Sequence, residues 1–319
     1  MQDNQGKKRV DVWREQYHIR RYLQHMNETD LAQRLRDVVN NSIVLTEKGQ
    51  AALRLPTEGG GYWMMKLTHI REEYLLRGKY FPNDVLKGIT LPKFTYPQIP
   101  KAVSAIKNSN LNLVNGKYLV KYGKLSYLEK MFKDGAVRIA LASSYKDPSL
   151  NYAIQDDEMV LTTYGLPQEV TMTVKDSKTG EDKGRLSPKG NITYYSECKT
   201  DYYVFCLSLI YDYRLFYDFD NSDCCIVIHQ LDDFLRRVES SSCKELSGWR
   251  MFRMPVIYLD PFNTQEEEHI PFFTKNFKYA YQFEYRLAWI PPDPNFKDKI
   301  DYLFLNIGNM EDIAKLIVL

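Results

Sequence analysis

The run Tyr279-Ala280-Tyr281-Gln282-Phe283-Glu284-Tyr285-Arg286-Leu287-Ala288-Trp289 is the most informative part of the chain. On a strand, successive side chains point to opposite faces. Gln282, Glu284 and Arg286 then share one face, and Tyr281, Phe283, Tyr285 and Leu287 the other. The plain account is a half-buried strand whose polar face meets solvent. The sharper account is a Gln-x-Glu pair placed at the entrance of a strand, beneath an aromatic loop.

Working outward, residues from Gly116 onward read as short β runs. Strands are expected at Tyr118 to Tyr122, Ala136 to Leu141, Tyr202 to Leu209, Cys224 to Ile228, Met254 to Leu259, Tyr281 to Ile290 and Tyr302 to Ile307. Val170 to Val174 and Asn191 to Tyr195 flank a polar stretch that reads as an exposed hairpin or insertion. Helices are expected at Ser126 to Phe132, stopped by Gly135, at Leu231 to Val238 and at Met310 to Ile317. Many short strands with few helices predict an α+β domain with split or mixed sheets rather than a doubly wound fold.

The first hundred residues differ in texture. Val10 to Met26 and Leu31 to Val39 read as helices, with Thr29-Asp30 as a cap. Ala52 to Leu55 and Tyr62 to Met65 flank Pro56-Thr57-Glu58-Gly59-Gly60-Gly61, which reads as a hairpin with a glycine loop. Helices followed by a hairpin suit a winged helix, or an extension that packs or binds a partner. Leu91-Pro92, Tyr96-Pro97 and Ile99-Pro100 interrupt the pattern, so a boundary is expected there, dividing the chain into 1–100 and 101–319. The net charge of +2 divides at the same place: 16 basic and 11 acidic side chains before it, 27 and 30 after it. An anionic partner, if there is one, is expected on the first segment.

Composition sets the outer limits. Apolar residues make up 44% and charged residues 26% of 319, the balance of a globular chain. No apolar run reaches the length of a membrane span. The opening residues lack an apolar core, so no secretory signal is expected. Five cysteines without a CxxC pair indicate neither a zinc site nor a disulfide framework, and a cytoplasmic setting fits. No GxGxxG opens a βαβ unit and no Walker motif occurs.

Four segments carry the polar side chains of interest: Lys121-Tyr122-Gly123, Ser143 to Asp147, Asn151 to Glu158, and Phe205-Cys206-Leu207-Ser208 before the Gln282-x-Glu284 run. Singly each is ordinary: a surface lysine, a solvated turn at Asp156-Asp157-Glu158, a strand-end serine. Their order over residues 116–319 is similar to a bacterial domain family of unknown function that is widespread and often found near defence genes. The layout of that family resembles the ADP-ribosyltransferase fold.

The resemblance implies split mixed or antiparallel β-sheets of ADP-ribosyltransferase type, with a mainly helical extension at the amino end. It implies a mono-ADP-ribosyltransferase using NAD, serving as a toxin or anti-phage defence effector and modifying a macromolecule. The basic amino-terminal segment and the aromatic loop Tyr211 to Tyr217 put RNA or DNA slightly ahead of protein as the acceptor. An antitoxin or inhibitor protein is the partner that such a toxin needs. Glu284 corresponds to the catalytic carboxylate, Gln282 to the residue that orients the acceptor, and Ser208 to the middle-strand serine. Lys121, Tyr122 and Arg138 fall where the dinucleotide is held, and Tyr145, Tyr279 or Tyr281 would wall the nicotinamide. The chemistry suits a carboxylate, because breaking the nicotinamide–ribose bond develops oxocarbenium charge. Two features depart from the pattern. Lys121 stands where one branch has arginine, giving a point charge without a fork, and Cys206-Leu207-Ser208 replaces Ser-Thr-Ser.

A binding-only protein that keeps the fold is the alternative. A metal nuclease built on Asp212, Asp218, Asp220 and Asp223, and a hydrolase built on Cys224-Cys225 and His229, are weaker readings.

Overall fold

The computed structural model describes residues 7–84, 87, 95–114, 116–264, 270–296 and 300–319. The first part comprises α1 (Arg9–Ile19), α2 (Glu28–Ser42), β1 (Ile43–Leu45), β2 (Ala51–Leu53), α3 (Gly60–Leu76) and α4 (Ile99–Asn108). Asn27 caps α2, its side chain accepting the Asp30 N–H, and Leu31, Leu35 and Val38 form the buried stripe. Pro100 lies in the first turn of α4, where its missing N–H costs nothing. Leu91-Pro92 falls outside the described residues.

The glycine run is not a hairpin loop. The hairpin is β1 with β2, antiparallel from Ile43↔Leu53 to Leu45↔Ala51, and the glycines open α3. Gly59 has φ +85°, and a Cβ on Gly60 would lie 2.2 Å from the Arg54 carbonyl oxygen. Trp63, Lys66, Ile70 and Tyr74 then turn inward at helical spacing. The apolar run Trp63-Met64-Met65 masks that spacing, because a short apolar run fits strand and helix alike. Gly60→Ala is expected to cost about 1–3 kcal/mol, seen as a lower urea midpoint. An unchanged midpoint would mean that the helix entry shifts freely.

The rest of the chain runs β3 (Leu119–Gly123), α5 (Leu125–Asp134), β4 (Ala136–Leu141), β5 (Val160–Gly165), β6 (Met172–Lys175), β7 (Asp182–Leu186), β8 (Ile192–Glu197) and β9 (Tyr203–Ser208). It continues through α6 (Leu215–Asp218), β10 (Cys224–Ile228), α7 (Leu231–Glu245), β11 (Arg250–Pro255), β12 (Ile257–Leu259), β13 (Thr274–Asn276), β14 (Glu284–Ile290), β15 (Tyr302–Asn306) and β16 (Ala314–Val318). The main sheet has the order β11-β14-β9-β3-β10-β16, with β4 joining β9 to β15, and all its pairings are antiparallel. β12 and β13 form a separate parallel pair. This is a mixed α/β chain with largely antiparallel sheets, compatible with the α+β class.

One core lies between the sheet and helices α5 and α7, bringing Leu128, Met131, Phe234 and Val238 against Phe205, Ile226, Leu287 and Trp289. A second covers the opposite face, where Ala102 and Phe216 meet Val120, Tyr122 and Val227. Met310, Ile313, Ala314 and Ile317 are all buried, and their spacing imitates a helix. The segment nevertheless ends as a strand, because β10 offers a whole edge from Cys224↔Val318 to Ile228↔Ala314. Between residues 160 and 197, β5 pairs with β8 and β6 with β7, and the latter hairpin is exposed along both strands.

Several cations of the amino-terminal segment are turned inward. Arg34 and Lys66 both reach Asp260, and Asn41 accepts the Tyr281 N–H while donating to the Lys278 carbonyl. Among the described residues no helix is long and apolar enough to cross a membrane.

Candidate active site

The sheet is split between β3 and β9. Whereas β9 and β14 pair from Glu284↔Ser208 to Trp289↔Tyr203, β3 meets β9 at Val120↔Ser208 alone. Side chains take over where the ladder stops. Lys121 Nζ donates to the Cys206 carbonyl at 2.9 Å, and Tyr122 Oη accepts the Asp212 N–H at 2.8 Å. A cavity of about 250 Å³ opens at this split, with Lys121, Tyr145, Glu158, Ser208, Gln282 and Glu284 in its wall.

Gln282 and Glu284 reach the cavity by a route that strand alternation does not describe. Gln282 ends a 3-10 helix, Phe277–Gln282, and β14 begins only at Glu284. Phe283 between them has φ +47° and ψ +50°, a left-handed conformation that costs a bulky side chain about 1–2 kcal/mol. Two hydrogen bonds hold the kink: the Leu209 N–H donates to the Phe283 carbonyl, and the Glu284 N–H donates to Tyr258 Oη, each at 2.8 Å.

The expected solvent-facing polar strand is instead a buried ion ring. Glu284 accepts from Arg286 Nε at 2.7 Å and from Lys275 Nζ at 3.0 Å. Glu158 faces the same two cations, Lys275 Nζ at 3.0 Å and Arg286 Nη1 at 2.6 Å. Carboxylate and cation therefore alternate around a closed circuit, with Glu284 4% exposed and Arg286 fully buried. Burial pushes the Glu284 carboxyl upward, but Arg286 and Lys275 outweigh it and hold the group well below the usual carboxylate range. Burial would likewise discharge Lys275, yet Glu158, Glu284 and Asp156 raise its pKa well above the ordinary value. Glu284 is thus a fixed anion and a poor proton acceptor.

The other expected site residues divide. Ser208 is buried, donating to the Gln282 carbonyl at 2.9 Å, and Gln282 Nε2 donates to the Ala153 carbonyl at 2.7 Å. Both line the cavity while stapling its walls. Lys121, far from being a surface lysine, packs over the Phe205 ring at 4.7 Å, and burial lowers its pKa. Tyr122 and Tyr145 also line the cavity. Arg138, Tyr279 and Tyr281 are not among its lining residues. Arg138 lies on β4 with its guanidinium over the Tyr302 ring, Tyr279 Oη donates to the Gln155 carbonyl at 2.5 Å, and Tyr281 packs beneath the Arg214 guanidinium.

Glu158 and Lys275 were missed as site residues. Asp156-Asp157-Glu158 reads as a solvated turn in isolation. Lys275 is one cation within an aromatic run from Phe272 to Tyr281, and that apolar setting is the signal that could have exposed it.

The carboxylates suggested for a nuclease disperse: Asp218 pairs with Arg214 Nε, and Asp223 accepts the Leu125 N–H. Among the described residues no three His, Cys, Asp or Glu side chains are placed to share a metal ion. Cys224 and Cys225 are buried in β10, and burial pushes the Cys224 thiol up to about 12. No protein-family model, curated protein or solved structure matches the chain.

Proposed function

We propose that this chain is an NAD-dependent mono-ADP-ribosyltransferase that modifies a macromolecule, as a toxin or defence effector would. The observation that carries the reading is convergence. Lys121 and Tyr122 on β3, Tyr145 after β4, Ser208 on β9, Gln282 at the end of the 3-10 helix and Glu284 at the start of β14 all border one cavity, at a split in the sheet. The β3, β9 and β14 strands that the resemblance singles out are neighbours in that order.

The electrostatics suit the chemistry. Cleavage of the nicotinamide–ribose bond leaves positive charge on the sugar, and a carboxylate locked in its ionised form opposes that charge without reorganising. Tyr145 offers a flat wall for the nicotinamide ring. Lys121 is partly buried, and among the described residues no carboxylate lies within ion-pair distance of it. An anionic diphosphate would supply the missing counter-charge.

Lys121→Met is therefore expected to raise the KM for NAD about 10–100-fold, the loss of one charge-assisted contact, with little change in kcat. The fold should change little, since the lost hydrogen bond to the Cys206 carbonyl is offset by relief of a buried ammonium. A lowered KM, or a KM unchanged, would separate Lys121 from the ligand. The activity itself is tested by incubating the protein with labelled NAD, RNA, DNA and lysate. Absence of label transfer, together with no gain in heat stability from NAD, overturns the enzyme reading. Nuclease or protease digestion of the labelled product identifies the acceptor.

The binding-only reading keeps one specific support, the closed ion ring that balances Glu284 with two cations. A gain in heat stability from NAD without nicotinamide release would favour it.

A further inference from the structure

A second, smaller cavity of about 120 Å³ lies beyond the ion ring, lined by Asp156, Thr162, Thr274, Asn276 and Lys278 among others. Glu158 and Lys275 line both cavities. We propose that this second cavity receives the acceptor and that the Asp156 carboxylate takes the acceptor's proton. The inference rests on the glycosyl-transfer reading above and assigns a separate step within it.

The carboxylates around Lys275 are not equivalent. Glu284 and Glu158 each hold two short ion pairs, so both are committed to fixed cations. Asp157 pairs with Lys146 at 2.7 Å. Asp156 is the exception: its nearest cation, Lys275 Nζ, is 3.9 Å away. Its backbone is fixed nonetheless, the N–H donating to the Tyr145 carbonyl at 3.0 Å. Gln282, which the resemblance assigns to the acceptor, spends its amide on the Ala153 carbonyl.

The surroundings tune Asp156 for the task. Lys275 faces it from β13, Lys278 and Tyr279 from the 3-10 helix, Arg286 from β14, and Glu158 from its own loop. Burial pushes its carboxyl up to about 6, against the pull of Lys275. A base is most effective near the working pH. Glu284, held far lower, supplies charge, and two carboxylates with separated pKa values thus take two roles.

The step balances. The C1′–N1 electron pair leaves with nicotinamide, neutralising its pyridinium charge. The acceptor's oxygen or nitrogen donates a lone pair to C1′, and its proton passes to Asp156 and then to solvent. NAD and acceptor give ADP-ribosyl acceptor, nicotinamide and one proton.

Azide tests this directly, because it is an anionic nucleophile that needs no base. Full-length wild type, Asp156→Asn, Asp156→Ala and Glu284→Gln are assayed for nicotinamide release from NAD with lysate acceptor, with and without sodium azide. Both Asp156 variants are expected to lose about 100-fold or more in rate. Azide should restore them, with ADP-ribosyl azide found by mass spectrometry, and should not restore Glu284→Gln. The wild-type rate should climb as pH rises through about 6, where Asp156 loses its proton, and the azide-supported rate of Asp156→Ala should lack that rise. Wild-type turnover in both Asp156 variants overturns the proposal. So does a loss that azide leaves unrepaired while NAD still raises heat stability. No nicotinamide release from wild type itself would instead remove the transferase reading beneath it.

Discussion

Glu284→Gln is expected to lower nicotinamide release by at least 10²–10³-fold, the loss typical when a preorganised charge opposite a developing cation is removed. The glutamine keeps the shape but loses the anion, and it turns one of two acceptor oxygens into an NH2 donor facing a cation. Its effect on folding has to be read separately. Lys275 and Arg286 would be left with Glu158 alone as a strong partner, and breaking a buried pair costs about 3–5 kcal/mol. Glu284→Asp resolves the ambiguity. It retains the charge that both cations need, so the denaturation midpoint should fall less than in the glutamine variant. Its carboxylate is withdrawn by one methylene, so the rate should still drop sharply. Nicotinamide release and midpoint measured on both proteins give the answer. Wild-type turnover by folded Glu284→Gln would move the essential carboxylate elsewhere.

The sequence made Glu284 visible because a charged residue inside an aromatic run is conspicuous at any register. Its partners were harder to see. Glu158, Lys275 and Arg286 become a ring only when a loop, β13 and β14 meet, and no local pattern encodes a contact between segments so far apart. The expected alternation through Gln282 also failed for a local reason. Phe283 turns left-handed, which neither propensity nor period predicts for phenylalanine. The strands at β3, β4, β9 and β10 were legible, since β-rich apolar runs bounded by turn residues admit few other accounts. The segments α3 and β16 were not. Each carries apolar residues compatible with both periods, and tertiary partners decided between them: the Tyr17 and Tyr22 cluster for α3, and the free edge of β10 for β16.

Asp260→Asn is expected to cause the largest loss of stability, about 3–5 kcal/mol. Asp260 is 5% exposed and bonds Arg34 Nη1 at 2.9 Å, Arg34 Nη2 at 2.6 Å and Lys66 Nζ at 2.6 Å. The asparagine would leave two buried cations facing each other, beneath aromatic rings that can offset little of the charge. In the wild type, burial pushes Asp260 upward, but Arg34 and Lys66 hold it well below the ordinary carboxylate value. A carboxyl depressed in the folded state stabilises above its unfolded pKa of about 3.9 and loses that contribution as pH falls below it. Acid should therefore destabilise the wild type through this residue and the asparagine variant much less. The alkaline side should behave oppositely. Burial already lowers the Lys66 pKa, and without Asp260 to raise it the folded variant sheds that proton sooner than the unfolded chain. Its stability should then climb as pH rises toward about 10, and Lys66→Met in the same background should restore part of the loss. Urea midpoints across pH measure each trend, and a midpoint unchanged in Asp260→Asn would show the triad to be dispensable. The consequence reaches the ion ring. Asp260 follows β12, β12 pairs with β13, and β13 carries Lys275. Loosening the triad should thus lower nicotinamide release even while the protein remains folded, because α2 and α3 no longer fix the strand that presents Lys275 to Glu284.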